Sequence, residues 1–221
     1  MELAEKELKN QQYQQAILYY NQAIAIKEEL PEAYLKMMEC SIYAKDLTSY
    51  KSALLQLENI NYDIPTSWYV TFAVIAEEKK QYASALEILQ RALNQEPNNV
   101  ALLLRKVSIF EKTHRTAEKL AILNRLHLQN KDNPFITYKL ADAYFYTQPQ
   151  KSITLYKQLL HEKDYTDIAL ISLGQLYTNL FEESKDKKDL QSSYNYYKLY
   201  ANSHPKDATI KKLMKEMKPM L

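Results

Sequence analysis

The sequence has 221 residues, with a single glycine, Gly174, a single cysteine, Cys40, and 29 basic against 27 acidic residues for a formal net charge of +2. One glycine leaves nothing from which to build a phosphate-cradling loop or the tight turns of a β-rich fold, one cysteine permits no intrachain disulfide, and charges mixed along the chain give no electrostatic footprint for nucleic acid. Leu, Ala, Lys, Glu and Gln, all strong helix formers, dominate the remainder, which predicts an all-α protein whose connections are short turns made by ordinary residues.

The N-terminus, Met1-Glu2-Leu3-Ala4-Glu5-Lys6, is charged at once and carries no apolar signal segment. The longest nearly apolar run, Trp68 to Ala76, is too short to span a bilayer, so no transmembrane segment is expected. A cytoplasmic location is the expectation, with a periplasmic or membrane-anchored one as the alternative if an upstream signal was removed. Leu3-Ala4 opens the first helical pattern with little helix ahead of it, which suggests that residues upstream belong to a longer native protein. A second amphipathic segment follows with Ala16-x-x-x-Tyr20 and Ala23.

Pro31, Pro65, Pro97 and Pro134 then punctuate the chain at separations of 34, 32 and 37 residues, each between two amphipathic segments. After Pro31 the pattern repeats with Ser41 in a first helix and Ala53-x-x-x-Leu57, followed by Ile60, in a second. The stretch Trp68–Asn99 shows the unit best. Tyr69, Phe72, Ala73 and Ala76 form the first helix, Lys79-Lys80-Gln81 a polar turn, and Tyr82, Ala85, Leu89 and Ala92 the second. The next unit is degenerate after Ser108, because Leu120 replaces the small residue of the second helix and Asn124 the aromatic; looser packing is expected there. Leu140-Ala141-Asp142-Ala143-Tyr144 restores the pattern, with Ser152-x-x-x-Tyr156 and Leu159 after it. Leu173-Gly174-Gln175-Leu176-Tyr177 and Ser193-x-x-x-Tyr197, then Tyr200, form the last unit. Nineteen residues separate Gly174 from Ser193, against twelve between the small residues of each of the first three units. The extra residues around Phe181–Lys188 either lengthen both helices by about one turn, roughly 5 Å, or make a longer turn. Beyond Pro205, Ile210, Leu213, Met214 and Met217 recur at helical spacing among Lys211, Lys212, Lys215 and Lys218. A basic amphipathic helix can lie on a membrane; a terminal repeat, however, needs a cap that is apolar inside and polar outside, and the cap is the reading adopted.

This frame of aromatic, Leu-Gly-x-x-Tyr, Ala-x-x-x-Phe with a further Ala, and closing Pro resembles the tetratricopeptide repeat. The resemblance implies a right-handed α-solenoid of about six helical hairpins over residues 1–30, 31–64, 65–97, 98–133, 134–164 and 165–205, with a C-terminal capping helix at 206–221, in a single repeat domain 1–221. Roughly three-quarters of the residues should be helical, far above the usual third. Tyr13, Tyr82, Tyr144, Tyr156, Tyr177 and Tyr197 fall at packing positions, which accounts for much of the tyrosine content.

Catalytic chemistry finds no support. His114, His127, His161 and His204 are scattered, no zinc spacing exists, and the acid pairs Glu28-Glu29, Glu77-Glu78 and Glu182-Glu183 fall at helix ends or turns where solvated carboxylates are expected. A non-enzymatic scaffold without cofactor or metal is predicted, with a protein or peptide as its partner and no nucleic acid. Similar arrays bind segments in a concave groove lined by the first helix of each unit. Positions six and three before, and one and four after, each first-helix small residue share one helical face. They are Leu35, Met38, Ile42 and Lys45; Ser67, Val70, Val74 and Glu77; Leu102, Arg105, Ile109 and Lys112; Phe135, Tyr138, Asp142 and Phe145; and Ile168, Ile171, Gln175 and Thr178. Most are apolar, so the expected ligand is an apolar or amphipathic segment, with Arg105 and Asp142 setting its direction. The alternative is an assembly subunit of a bacterial envelope or secretion machine that works through its outer faces.

Overall fold

A computed structural model describes residues 1–26 and 30–221; the Glu28-Glu29 pair therefore lies outside the described residues. About four-fifths of the chain is helical, and no strand occurs among the described residues. The chain comprises two compact units, Met1–Thr113 and His114–Leu221.

The first unit contains α1 (Glu2–Lys9), α2 (Tyr13–Ile26), α3 (Pro31–Ala44), α4 (Leu47–Asn59), α5 (Thr66–Glu78), α6 (Tyr82–Gln95) and α7 (Val100–Lys112). The second contains α8 (Thr116–Gln129), α9 (Pro134–Tyr144), α10 (Pro149–Leu159), α11 (Thr166–Ser184), α12 (Lys187–Ser203) and α13 (Ala208–Met217), then a 3₁₀ turn at Lys218–Met220. Within each unit, helices pack on their sequence neighbours, and α5 also touches α7. Starts are marked locally. Asp46 accepts backbone N–H bonds from Thr48 and Ser49, Asn133 from Phe135 and Ile136, and Asp207 from Thr209 and Ile210; such caps contribute about 1 kcal/mol each. Pro31, Pro134 and Pro149 occupy the first turn of their helices, where a missing N–H costs nothing.

The hairpins close on small residues. Ala4 with Ala16, Ser41 with Ala53, Ala73 with Ala85, Ala141 with Ser152 and Gly174 with Ser193 are all buried. Where serine replaces alanine in a second helix, its hydroxyl donates to the first-helix carbonyl: Ser152 Oγ to Ala141 O and Ser193 Oγ to Gly174 O, both at 2.7 Å. In the degenerate fourth repeat, Ser108 and Leu120 are only half-buried, and the division between the two compact units falls at Thr113–His114, in the turn between α7 and α8.

Ordinary residues do make the turns, but at a conformational cost that glycine would avoid. Gln11, Lys45, Lys80, His114 and Lys185, one in each of five hairpin turns, adopt φ between 52° and 60°, as does Asn61 between α4 and α5. Left-handed geometry costs an L-residue about 1–2 kcal/mol. The long insertion extends both helices: α11 has 19 residues and α12 has 17, whereas α9 and α10 have 11 each. The cap is in place, with Ile210 and Met217 of α13 packed beside Leu190 and Tyr197 and its lysines exposed.

Gly174 is needed for close approach rather than for a turn. A Cβ there would lie 2.6 Å from Cε1 of Tyr197, a ring that is itself buried and has little room to retreat. Gly174→Ala is expected to destabilise the protein by about 1–3 kcal/mol through overpacking, despite the gain in helix propensity. Adding Tyr197→Leu should recover part of that loss in urea denaturation; Gly174→Ala matching or exceeding wild-type stability would contradict the contact.

Candidate protein-interaction face

In the first unit the first-helix face is organised around a cleft of about 560 Å³. Leu35, Met38 and Ile42, one helical turn apart on α3, line one wall. Tyr62, Asp63 and Pro65, in the connection before α5, and Trp68 on α5 line the other. Tyr50 of α4 joins the two sides, donating its hydroxyl to the Trp68 carbonyl oxygen at 2.9 Å while its ring packs 5.6 Å from that of Phe72. Burial pushes the Tyr50 hydroxyl well above the ordinary tyrosine range, so it stays a neutral donor. Met38 is buried and makes the floor, whereas Ile42 is 36% exposed at the mouth. The rim carries Glu32, Asp63 and a 3.0 Å ion pair between Lys36 and Glu39.

Farther along the unit, Val70 and Val74 of α5 are half-buried and accessible. Leu102 and Ile109 of α7, expected to face solvent, are fully buried. They belong to the core, because apolar side chains this enclosed by packing offer no surface to a ligand. Arg105 is committed too. Its Nε lies 2.6 Å from Oε1 of Glu77, and Lys112 Nζ donates to Oε2 of the same carboxylate at 2.7 Å. The Arg105 approach is off the N–H axis, a charge contact rather than an aligned hydrogen bond. Glu77 is therefore not the solvated acid expected at a helix end: its side chain is 2% exposed, against 29% for Arg105 and 50% for Lys112. A carboxylate taken that far out of water requires partners, and the two cations of α7 supply them. Arg105 acts as a bolt between α5 and α7 rather than a free guide for a ligand.

The second unit exposes Phe135 at 41% and Ile168 at 38%, with Asp142 open to solvent and Ile171 half-buried. Tyr138 is half-buried, its ring 5.9 Å from that of Tyr165. Phe145, expected in the same row, is buried at the C-terminal cap of α9, stacked edge-on to Tyr146. The structure thus gathers Leu35, Met38 and Ile42 into one cleft, leaves Val70, Val74, Phe135, Tyr138, Asp142, Ile168 and Ile171 accessible to different degrees, and withdraws Leu102, Ile109 and Phe145. Trp68, Tyr62 and Asp63 were not legible as site residues from helical periodicity, since two of them lie in a connection; the available signal was two large aromatics flanking Pro65. Among the described residues, no group of three His, Cys, Asp or Glu side chains is placed to hold a metal ion, and no helix is long and apolar enough to cross a membrane.

A family model described as tetratricopeptide repeat matches residues 76–142. Among solved structures, the chain is similar to the C-terminal part of a repeat-containing protein of this kind from Cytophaga hutchinsonii, with a TM-score of 0.54 at 16% identity over 98% of this chain and 93% of that one. It is similar to one from Bacteroides fragilis, with a TM-score of 0.55 at 17% identity over 87% and 99%. A third similar structure is PilW, a type IV pilus biogenesis factor, with a TM-score of 0.53 at 16% identity over 96% of each chain. Identities this low speak for the fold alone. No curated protein matches.

The Glu77 arrangement carries a stability prediction. Glu77→Gln should cost about 1–3 kcal/mol, the worth of hydrogen bonds to a charged group, at the lower end because Arg105 and Lys112 can rehydrate. In urea denaturation, Glu77→Gln combined with Arg105→Gln should cost less than the two changes summed; strict additivity would show that the pair is not coupled.

Proposed function

We propose that this chain, whose residues 76–142 match the tetratricopeptide-repeat model and whose all-helical fold is shared with solved proteins of that kind, works as a protein-interaction scaffold that binds an apolar or amphipathic segment of a partner protein against the first-helix faces of its repeats. The observation that supports this most directly is the cleft of the first unit, walled by Leu35, Ile42 and Trp68. Exposed aliphatic and aromatic side chains recur on first helices of the second unit at Phe135 and Ile168. Contiguous accessible apolar surface in a water-soluble fold marks a contact site, and each side chain buried there contributes about 1.5–3 kcal/mol. Ordering the ligand offsets much of that gain, which leaves micromolar affinity or somewhat better. The role assigned is capture of a partner segment.

Peptides selected from a random display library on the wild-type chain should lose roughly ten-fold or more in affinity for Ile42→Glu combined with Phe135→Glu, the equivalent of about 1.4 kcal/mol or more, while the far-ultraviolet circular dichroism is retained. Both side chains are partly exposed, so the substitutions leave the core intact. Unchanged affinity for the doubly substituted protein would move the binding surface to the outer helices, as an assembly subunit working through its outer faces requires.

A further inference from the structure

We propose that the cleft between α3 and the start of α5 selects a cationic apolar segment, in which an aliphatic or aromatic anchor is followed or preceded within a few residues by Lys or Arg. This rests on the peptide-binding reading above and assigns the chemistry of the ligand at one site. The walls and floor contributed by Leu35, Met38, Ile42 and Trp68 are apolar, and the volume of about 560 Å³ falls in the range of about 300–1,000 Å³ typical of pockets that enclose a ligand. An anchoring side chain is thus the group that fills it.

The rim decides the sign of the flanking charge. Its four charged side chains are Glu32, Lys36, Glu39 and Asp63. Lys36 and Glu39 neutralise one another at 3.0 Å. Glu32 and Asp63 stand on opposite walls, one on α3 and one in the connection before α5, both exposed and neither ion-paired among the described residues. Two like charges facing one apolar opening are relieved by a cation placed between them and aggravated by an anion. The low-dielectric walls strengthen the effect relative to open water. Binding of a C-terminal or side-chain carboxylate at this mouth is disfavoured for the same reason.

Trp68 is the only tryptophan in the chain and it lines the cleft, so its fluorescence reports occupancy at this position and nowhere else. The test uses the full chain and two pools of blocked hexapeptides, each with Leu, Ile, Met or Phe at two fixed positions. One pool carries Lys or Arg at two further positions, and the other carries Asp or Glu there. The cationic pool is expected to shift Trp68 emission at concentrations at least ten-fold lower than the acidic pool at low salt. Glu32→Gln combined with Asp63→Asn, or 0.5 M salt, which shortens the screening length to a few ångströms, should bring the two pools within about twofold. Equal binding of both pools to the wild-type chain overturns the charge selection while leaving the peptide-binding reading intact. A cationic preference that survives the double substitution overturns the assignment to Glu32 and Asp63. No change in Trp68 emission with either pool overturns the cleft as a site, and the peptide-binding reading then stands or falls on the exposed first-helix residues of the second unit, read with Phe135→Glu alone.

Discussion

Two α-helices can approach closely only where side chains at the crossing are small, and every well-formed hairpin in this chain meets that condition at one crossing. Alanine, serine or glycine from the first helix faces alanine or serine from the second, and both are removed from water. The close approach brings larger residues on either side into contact, which is why Tyr20, Leu57, Leu89, Tyr156 and Tyr197, four residues beyond each second-helix small position, are buried in turn. The last hairpin takes the principle furthest, since the Tyr197 ring occupies the space that any Cβ at position 174 would claim. In the first unit the cleft beside α3 lies between α3 and the start of α5, a gap that Tyr50 bridges but does not fill.

In the fourth repeat the small residue is missing from the second helix. Leu120 stands at the place of alanine or serine, and it remains half-buried while its neighbours Leu123 and Leu126 are enclosed. The aromatic of the motif is replaced by Asn124, whose side chain is used differently: it accepts the Tyr144 hydroxyl at 2.8 Å and donates to the Leu120 carbonyl at 2.8 Å. A buried-facing amide needs such partners to offset its desolvation. In this repeat, which contains the boundary between the two compact units, the amide's hydrogen bonds to α9 and to its own helix stand where the motif has an aromatic ring.

The repeat frame, the all-helical class, the closing helix and the irregularity at Leu120 were legible in the sequence, because each depends on spacing along one helix or between two consecutive ones. The candidate site was legible only in part. Leu35, Met38 and Ile42 were found by periodicity and do share a cleft. Leu102 and Ile109 satisfy the same periodicity but are fully buried, since the spacing fixes which face a residue occupies and not how deeply a neighbouring element covers it. Arg105 and Glu77 lie 28 residues apart, on different hairpins. Their pairing depends on how one hairpin stacks on the next, an offset that no single-helix pattern encodes. Asp63 and Tyr62 escaped notice for a simpler reason: a connecting segment has no period to read.

The pairing of helices with their nearest neighbours along the chain also governs how the fold is reached. Apart from the contact between α5 and α7, helices within each unit meet mainly those adjacent in sequence, so few contacts there require segments more than a hairpin apart to find each other first. The loop-closure cost is correspondingly small, which favours rapid folding. During synthesis at about 5–20 residues per second, each hairpin can close on the one already made as soon as it has emerged. Within each unit its apolar face is then covered within seconds.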